Sequence, residues 1–266
     1  MLKTFLNTRH QYPRQYWLMF WGLLLSTSGS SMIWPFLLIY VSSKLDLPLT
    51  AIASLTTINA VVELGFAFVA GPIVDRFGRK WVMVFSLFAD AIIFLFMIQA
   101  NTYVAFAILM GLRGISNPLY RVGADAMLAD LIPIDKRLDA YALIRMVQNI
   151  GIAIGPAVGG FLASTSYNLA FFAAAAGLSA YASLLAFFAR ETLARKLNES
   201  VLEATREKLG GYDKVFKDKA FISTIGSMAF GWITAVLMWI ILPVYAKTNF
   251  GVPENLYGWI PTTNAL

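Results

Sequence analysis

The chain has 266 residues, 58% of them hydrophobic and 14% charged, with a formal charge of +6 at neutral pH. This balance is too apolar for an ordinary soluble domain, and the apolar residues form blocks of about 20, enough to cross a hydrocarbon core of about 30 Å. The lack of cysteine and the single histidine, His10, exclude disulfides, thiol catalysis and a zinc cluster, and basic residues without interleaved aromatics do not indicate nucleic-acid binding.

Seven apolar blocks are long enough to cross a bilayer as helices. In chain order they run over residues 15–42, 51–74, 81–100, 103–123, 141–164, 169–189 and 220–246. Lipid cannot satisfy unpaired backbone groups, and the blocks are too long for the tilted strands of a barrel. The sequence therefore predicts an all-α polytopic membrane protein.

The connections between these blocks alternate between basic and nearly free of basic residues. The basic set comprises Lys3, Arg9 and Arg14 before the first block, Arg76, Arg79 and Lys80 after the second, Lys136 and Arg137 after the fourth, and Arg195, Lys196, Arg206, Lys208, Lys214 and Lys217 after the sixth. The other connections carry only Lys44 and Lys247. Because basic loops stay inside, we expect a multi-pass protein of the cytoplasmic (inner) membrane with its N-terminus in the cytoplasm.

One long polar connection divides the predicted helices into two groups. We predict a six-helix transmembrane bundle over residues 1–190, a cytoplasmic linker over 191–219, and the start of an incomplete second bundle over 220–266. In the linker, Glu199 and Glu203 are four residues apart and are followed by Glu207, which indicates an amphipathic helix on the inner surface. A solvated charged loop is the alternative.

An internal repeat relates the two sides of the linker. A shift of about 205 positions aligns five identical residues near the ends of helices. The aligned pairs are Tyr40 with Tyr245, Pro48 with Pro253, Thr57 with Thr262, Asn59 with Asn264 and Ala60 with Ala265. The seventh helix thus repeats the first, and residues 255–266 open an eighth. Six helices followed by a parallel repeat are typical of one large superfamily of secondary transporters.

The connection between the second and third helices carries a specific motif. It reads Gly71-Pro-Ile-Val-Asp75-Arg76-Phe-Gly78-Arg79-Lys80 and resembles the loop signature of the major facilitator superfamily at every defining position. Gly71 permits close helix approach, Gly78 permits a tight turn, and the basic residues hold the loop at the anionic cytoplasmic face.

The resemblance implies that Asp75 and the neighbouring arginines form a gating loop that latches two halves of a transporter together on the cytoplasmic side. The family's partner helix lies beyond Leu266. A basic loop with a turn is the alternative interpretation. Asp130 and Arg137 follow the fourth helix in a stretch similar to that of multidrug-type members, where it braces this loop; a plain helix end with a proline stop is the alternative.

The fifth helix contains Gly151-Ile-Ala-Ile-Gly155-Pro156-Ala-Val-Gly159-Gly160, which is similar to the signature of the superfamily's drug:proton antiporters. Glycines spaced by four leave one helical face without side chains, so that a neighbouring helix can approach closely, and Pro156 adds a bend. Generic packing of small residues is the alternative.

Three charged residues fall near the middle of the membrane by residue count: Glu63, Asp90 and Arg113. A charge there is costly unless it is paired or hydrated. Arg113 resembles the family's fourth-helix arginine, which is associated with proton transfer, although the residues after it depart from the family's glutamine-glycine pattern. Glu63 and Asp90 are both candidates to bind the coupling proton, together with Arg113. We favour Glu63, paired with Arg113, since the third helix of the family that the chain resembles is peripheral and would place Asp90 off the pathway. The alternatives are a static buried ion pair and a tilted helix that carries the charge to the headgroups.

Six further residues are predicted to line a substrate pathway: Met32, Trp34, Asn59, Tyr120, Gln148 and Asn149. Aromatic and methionine surfaces suit varied apolar cations and drugs. Aromatic residues in membrane helices also serve as packing and interface anchors, which is the alternative.

These features predict a proton-coupled secondary transporter, and not an enzyme, that exports drugs or small amphipathic solutes by alternating access. We expect the proton gradient as its energy source without a cofactor or metal. The expected partners are membrane lipid, protons and a small-molecule substrate, with no nucleic acid and a monomeric full-length transporter. The alternatives are an importer or facilitator of sugars, organic acids or peptides, a membrane enzyme, and a non-transporting scaffold or inactive truncated product.

Overall fold

A computed structural model describes residues 11–193 and 217–265. In these two ranges the regular structure is helical throughout, which confirms the predicted all-α class. The elements are α1 (Arg14–Ile33), a 3-10 turn (Trp34–Phe36), α2 (Leu37–Leu45), α3 (Leu49–Phe77), α4 (Arg79–Gln99), α5 (Tyr103–Leu131), a second 3-10 turn (Ile134–Lys136), α6 (Arg137–Thr165), α7 (Tyr167–Phe188), α8 (Lys219–Phe250), α9 (Glu254–Tyr257) and α10 (Trp259–Ala265).

Prolines and glycines set several helix boundaries. Pro48 precedes α3 and Pro253 precedes α9, both in an extended backbone conformation, so the two prolines of the sequence repeat occupy equivalent places. Gly78 ends α3 and begins α4 with φ of 92°, a conformation that side chains disfavour. Pro35 falls in the 3-10 turn that separates α1 from α2, because a proline lacks the N–H that a continuous helix needs.

The first six predicted crossings pack into one bundle. α1 packs against α6 and α7, α3 packs against α5, and α4 packs against α5 and α7. Aromatic side chains fill the interior, and Phe94 and Phe171 are fully buried with ring centroids 6.1 Å apart. α9 and α10 pack against α6, and α8 contacts α2, so the chain beyond the linker meets the bundle along two helices.

Five helical stretches within the described residues are long and apolar enough to cross a membrane: Arg14–Leu45, Ala51–Phe77, Arg79–Gln99, Ile134–Thr165 and Tyr167–Phe188. α5 is as long as α3 and packs in the same bundle, but Arg113, Arg121, Asp125 and Asp130 make it more polar. It also continues eight residues beyond the predicted end at 123, because its last turns carry these charges towards the surface.

The outer surface of the bundle is apolar. Phe161, Phe172 and Phe187 are at least half exposed on α6 and α7. Large apolar side chains on the outside and charges inside are the arrangement expected when lipid is the solvent. The predicted amphipathic helix around Glu203 lies outside the described residues, and so do Lys3, Arg9 and His10; the division into bundle, linker and second bundle stays a prediction.

Candidate functional site

One polar cluster joins the loop after α3 to the ends of α5 and α7. We define the loop cluster as Asp75, Arg79, Asp130, Glu191 and Thr192. The Arg79 guanidinium lies 3.6 Å from the Asp75 carboxylate and 3.0 Å from that of Asp130. Thr192 donates a hydrogen bond of 2.8 Å to the same Asp130 oxygen. Arg79 thus connects the gating loop to α5 directly, and Asp130 contacts Arg79 rather than Asp75.

Glu191 caps α4, a role that the sequence analysis missed. Its two carboxylate oxygens accept hydrogen bonds from the backbone N–H groups of Arg79 and Lys80, at 3.0 and 3.1 Å. The first N–H groups of a helix have no partner inside the helix, and Gly78 has no side chain to supply one. The signal available in the sequence was a helix that begins directly after glycine, with an acidic residue just beyond the sixth apolar block.

Arg137 braces the end of α5 from the start of α6. Its guanidinium donates hydrogen bonds to the carbonyl oxygens of Ala129 and Ile132, at 2.6 and 3.1 Å. A cation near the end of a helix satisfies carbonyl groups that have no intrahelical partner.

Gly71 does not make the close helix contact that was predicted for it, because a Cβ at this position would have no atom within 4 Å among the described residues. Close helix approach at Gly71 is therefore not part of this packing.

The glycine face of α6 lies against α1. A Cβ on Gly151 would lie 2.8 Å from Thr27, one on Gly155 would lie 2.6 Å from the Ser28 carbonyl oxygen, and one on Gly159 would lie 2.7 Å from the Met32 Cα. Ser31 also donates a hydrogen bond of 3.1 Å to the Gly151 carbonyl oxygen. The missing side chains are thus what allows the two backbones to touch. Met32, predicted to line the pathway, is half-buried in this contact.

The other side of the same motif meets the chain beyond the linker. Gly258 lies against Pro156, since a Cβ there would be 3.0 Å from the Pro156 carbonyl carbon. A Cβ on Gly160 would be 3.1 Å from the Glu254 carbonyl carbon. Thr262 donates a hydrogen bond of 2.5 Å to the Ala153 carbonyl oxygen. α6 therefore forms close backbone contacts on two sides.

A second polar cluster joins α7 to α8 and α9. We define the linking cluster as Tyr167, Lys247 and Glu254. The Glu254 carboxylate pairs with the Lys247 ammonium and accepts a hydrogen bond of 2.5 Å from the Tyr167 hydroxyl. Burial raises the pKa of Glu254, but the hydrogen bonds from Lys247 and Tyr167 outweigh burial and leave the pKa below its ordinary value.

A buried charge lies at the centre of the bundle. Arg113 on α5 and Asp90 on α4 are 5% and 6% exposed, and the Ser116 hydroxyl donates a hydrogen bond to the Asp90 carboxylate. The Arg113 guanidinium lies 5.1 Å from the ring centre of Trp34 and 4.9 Å from that of Phe94. α4 packs between α5 and α7, so this carboxylate faces the interior of the bundle. Its expected place off the substrate pathway stays a prediction.

Glu63 has a different partner from the one predicted. Its carboxylate lies 3.3 Å from the guanidinium of Arg121, about two helical turns beyond Arg113 on α5. Arg113 makes no direct ion pair with Glu63 among the described contacts, although the charges of Asp90 and, more weakly, Glu63 both act on it. The structure records no ion pair within 4 Å for Arg113 among the described residues, and its recorded side-chain contacts are the rings of Trp34 and Phe94.

Two of the predicted pathway residues share a small pocket. Tyr120 and Gln148 line a cavity of about 50 Å³ between α1, α5, α6 and α7, together with Arg121 and Asp125. Asn59 does not join them, since its amide is buried and donates a hydrogen bond of 3.0 Å to the Met110 carbonyl oxygen. Trp34 packs on Arg113, as described above. Asn149 is exposed on α6.

The comparisons with known proteins agree with this architecture. The family model described as the Major Facilitator Superfamily matches residues 19–266. A Na(+), Li(+), K(+)/H(+) antiporter of Planococcus maritimus is 29% identical over 234 residues, covering 81% of this chain and 54% of that protein. Multidrug resistance protein 1 of Bacillus subtilis is 32% identical over 184 residues, covering 69% of this chain and 46% of that protein.

A solved structure of the peptide transporter POT has the same fold, with a TM-score of 0.57 at 18% identity over 85% of this chain and 52% of that one. At this identity the likeness concerns the fold alone. The chain spans about half the length of these relatives.

Proposed function

The chain belongs to the major facilitator superfamily of transporters, and from this membership we propose that it contributes one lobe of a proton-coupled exporter of drugs or small amphipathic solutes. The exporter operates in the cytoplasmic membrane by alternating access, in which two lobes rock about a central site. The multidrug resistance relative supports the substrate class, and the antiporter relative supports exchange against protons.

The observation that carries the proposal is the burial of Arg113 and Asp90 in the same bundle, with Glu63 on the neighbouring α3. A charge in the middle of a membrane bundle is costly unless it is paired, so each such residue is a candidate for function. Uptake of a proton by either carboxyl removes one negative charge next to Arg113 and changes the cost of keeping the guanidinium buried. Because Glu63 lies on α3 and Asp90 lies on α4, binding of a proton to either carboxyl can shift the position of its helix relative to Arg113.

A shift of α3 or α4 would act on the loop cluster, which lies at the ends of these two helices. Arg79 binds Asp130 in the same bundle and contacts Asp75, which is 61% exposed at its side chain. An exposed carboxylate at the end of α3 is free to meet a cationic or helix N-terminal partner on the other lobe. We assign Asp75 to the contact that closes the transporter on the cytoplasmic side, with Arg79 holding it in position.

The substrate site is proposed around Tyr120 and Gln148. The pocket there combines an aromatic ring with the carboxylate of Asp125, a pairing that suits an amphipathic cation. Its volume of about 50 Å³ is too small for a drug, so the pocket is the part of a central site that this lobe supplies. The other lobe supplies the opposite wall.

Inverted membrane vesicles from cells that express the protein test the proposal. With an imposed proton gradient we expect uptake of the fluorescent cation ethidium, and collapse of the gradient by an uncoupler should abolish it. Glu63→Gln and Asp90→Asn should each remove or reduce gradient-driven uptake, whereas Asp135→Asn, which changes an exposed acid in a connection, should leave uptake unchanged. Gradient-driven uptake that survives Glu63→Gln and Asp90→Asn together would overturn the assignment of the proton site.

A second candidate function is exchange of monovalent cations for protons, favoured by the relative named a Na(+), Li(+), K(+)/H(+) antiporter. Asp125 lines the small pocket, Glu63 pairs with Arg121 from the same lining, and hard cations prefer oxygen ligands such as these carboxylates. Addition of sodium or potassium to energised inverted vesicles would then release the proton gradient without ethidium uptake. A gradient that responds to ethidium but not to these salts excludes this candidate.

A further inference from the structure

An apolar groove runs along the outside of the bundle between α3, α4 and α5. It has a volume of about 700 Å³. Its walls include Phe77, Trp81, Phe85, Ile92 and Phe96, all of which are exposed. From Trp81 to Phe96 the groove follows α4 for about 22 Å, more than one leaflet of a bilayer whose core is about 30 Å thick.

The polar atoms in the groove are already satisfied from inside the protein. The two serines in its wall are Ser86, whose hydroxyl donates a hydrogen bond of 2.7 Å to the Val82 carbonyl oxygen, and Ser116, whose hydroxyl donates to Asp90. A site for a drug or metabolite normally offers a few polar groups that orient the ligand. This groove offers none, so its chemistry fits a hydrocarbon chain.

Two cations lie at one end of the groove. The Lys80 ammonium lies 4.8 Å from the ring centre of Trp81, and the Arg76 guanidinium lies 5.7 Å from that of Phe77. Both rings line the groove. Within the described residues, neither side chain has an acidic partner, whereas Arg79 between them is paired with Asp75 and Asp130. The end of the groove is therefore positively charged.

We propose that the groove between α3, α4 and α5 binds one anionic phospholipid, with an acyl chain against Trp81 and Phe85 and the phosphate headgroup on Arg76 and Lys80. The combination of an apolar channel of leaflet depth with two unpaired cations at its entrance matches the two parts of such a lipid. The headgroup of the bound lipid would then contact the loop between α3 and α4. This site is separate from the proposed substrate pocket, which lies on the other side of α5.

Fluorescence quenching of Trp81 by lipids with brominated acyl chains tests the proposal. The protein is reconstituted in phosphatidylcholine with a small fraction of brominated phosphatidylglycerol, or of brominated phosphatidylcholine with the same chains. The contribution of Trp81 is the difference between the parent protein and Trp81→Phe. We expect a preference of about tenfold for phosphatidylglycerol, because each basic residue near the surface favours an anionic lipid several-fold.

Two pairs of variants separate headgroup and acyl-chain binding. Arg76→Gln with Lys80→Gln should remove the preference, whereas Arg14→Gln with Lys136→Gln, which removes equal charge from exposed positions on the same basic side, should keep it. Ala89→Phe should fill the groove and lower quenching by both lipids, whereas Ala180→Phe on the outside of α7 should not. The proposal is overturned if the two lipids quench Trp81 equally in the parent, or if quenching falls as protein density rises, which would indicate a second copy in the groove.

Discussion

The loop cluster and the linking cluster lie at opposite ends of α7 and differ in what they join. Glu191 follows the last turn of α7, and Tyr167 begins its first turn, so the clusters are about 33 Å apart along the helix. The loop cluster connects α3, α4, α5 and α7, all within one bundle. The linking cluster connects that bundle to α8 and α9. Only the second has to break if the two parts of the chain move apart.

The close backbone contacts at glycines also fall into two kinds, those inside the bundle and those between the bundle and the segment after α8. Gly155 allows α1 and α6 to touch inside the bundle, whereas Gly258 allows the segment after α8 to touch α6 from outside. Contacts inside one bundle determine its stability, and contacts between bundles determine the equilibrium between conformations. The comparison therefore predicts that matched substitutions at the two places have different consequences.

Gly155→Val and Gly258→Val are expected to have the largest effects. In each case the added side chain meets backbone atoms, which cannot move aside as the end of a flexible side chain can. Gly155→Val should destabilise the bundle by about 3 kcal/mol, the upper part of the range for overpacking. Gly258→Val should leave the unfolding of the bundle nearly unchanged and instead separate α9 from α6.

Thermal unfolding in detergent measures the first effect, and cross-linking between cysteines introduced on α6 and α9 measures the second. The chain lacks cysteine, so the introduced thiols are the only ones present. Equal destabilisation of the bundle by both substitutions would remove the distinction between the two kinds of contact.

Most of the fold was predictable because a lipid bilayer requires each spanning segment to be a long and mainly apolar helix. Helix ends set by proline or by a charged turn were found within a few residues, as for α4, predicted over 81–100 and observed over Arg79–Gln99. α5 was predicted too short because its last turns are polar, and polarity marks the edge of the membrane and not the end of a helix. Hydropathy alone does not distinguish these two boundaries.

The partners of the charges were less predictable. The sequence identified Glu63, Asp90 and Arg113 as a group by their depth, but depth does not determine which way a side chain points around its helix axis. Arg121 pairs with Glu63 because α3 and α5 lie side by side, a fact of packing and not of spacing. The linking cluster was missed for the same reason, since Lys247 and Glu254 are distant in sequence from Tyr167.

Glu191→Ala is expected to have the next largest effect, at the loop cluster. The substitution leaves the first two N–H groups of α4 without the acceptors that Glu191 provides, and should destabilise the bundle by about 1–2 kcal/mol, the usual cost of losing an N-terminal cap. Glu191→Gln should cost less, since an amide oxygen still accepts one bond. Thermal unfolding of both variants beside Asp135→Asn, a surface control, measures these differences. A stability of Glu191→Ala equal to that of the control would show that the cap contributes nothing.

The linking cluster should show the smallest effect on stability and the clearest dependence on pH. Because its bonds hold the pKa of Glu254 below the ordinary value of about 4.3, its contribution is complete above that pH and is lost as pH falls through the lowered pKa. Glu254→Gln should cost about 1 kcal/mol or less, as expected for a partly exposed ion pair.

Spin labels attached to cysteines at Asn168 and Asn255, both exposed, measure the separation of α7 and α9. We expect the mean separation of the labels to rise in the parent as the pH falls through the lowered pKa of Glu254, and to be larger than in the parent at neutral pH and independent of pH in Glu254→Gln. Asp46→Asn, which removes another exposed acid outside the cluster, should retain the pH dependence of the parent. A separation that changes with pH equally in the parent and in Glu254→Gln would mean that a group other than Glu254 titrates.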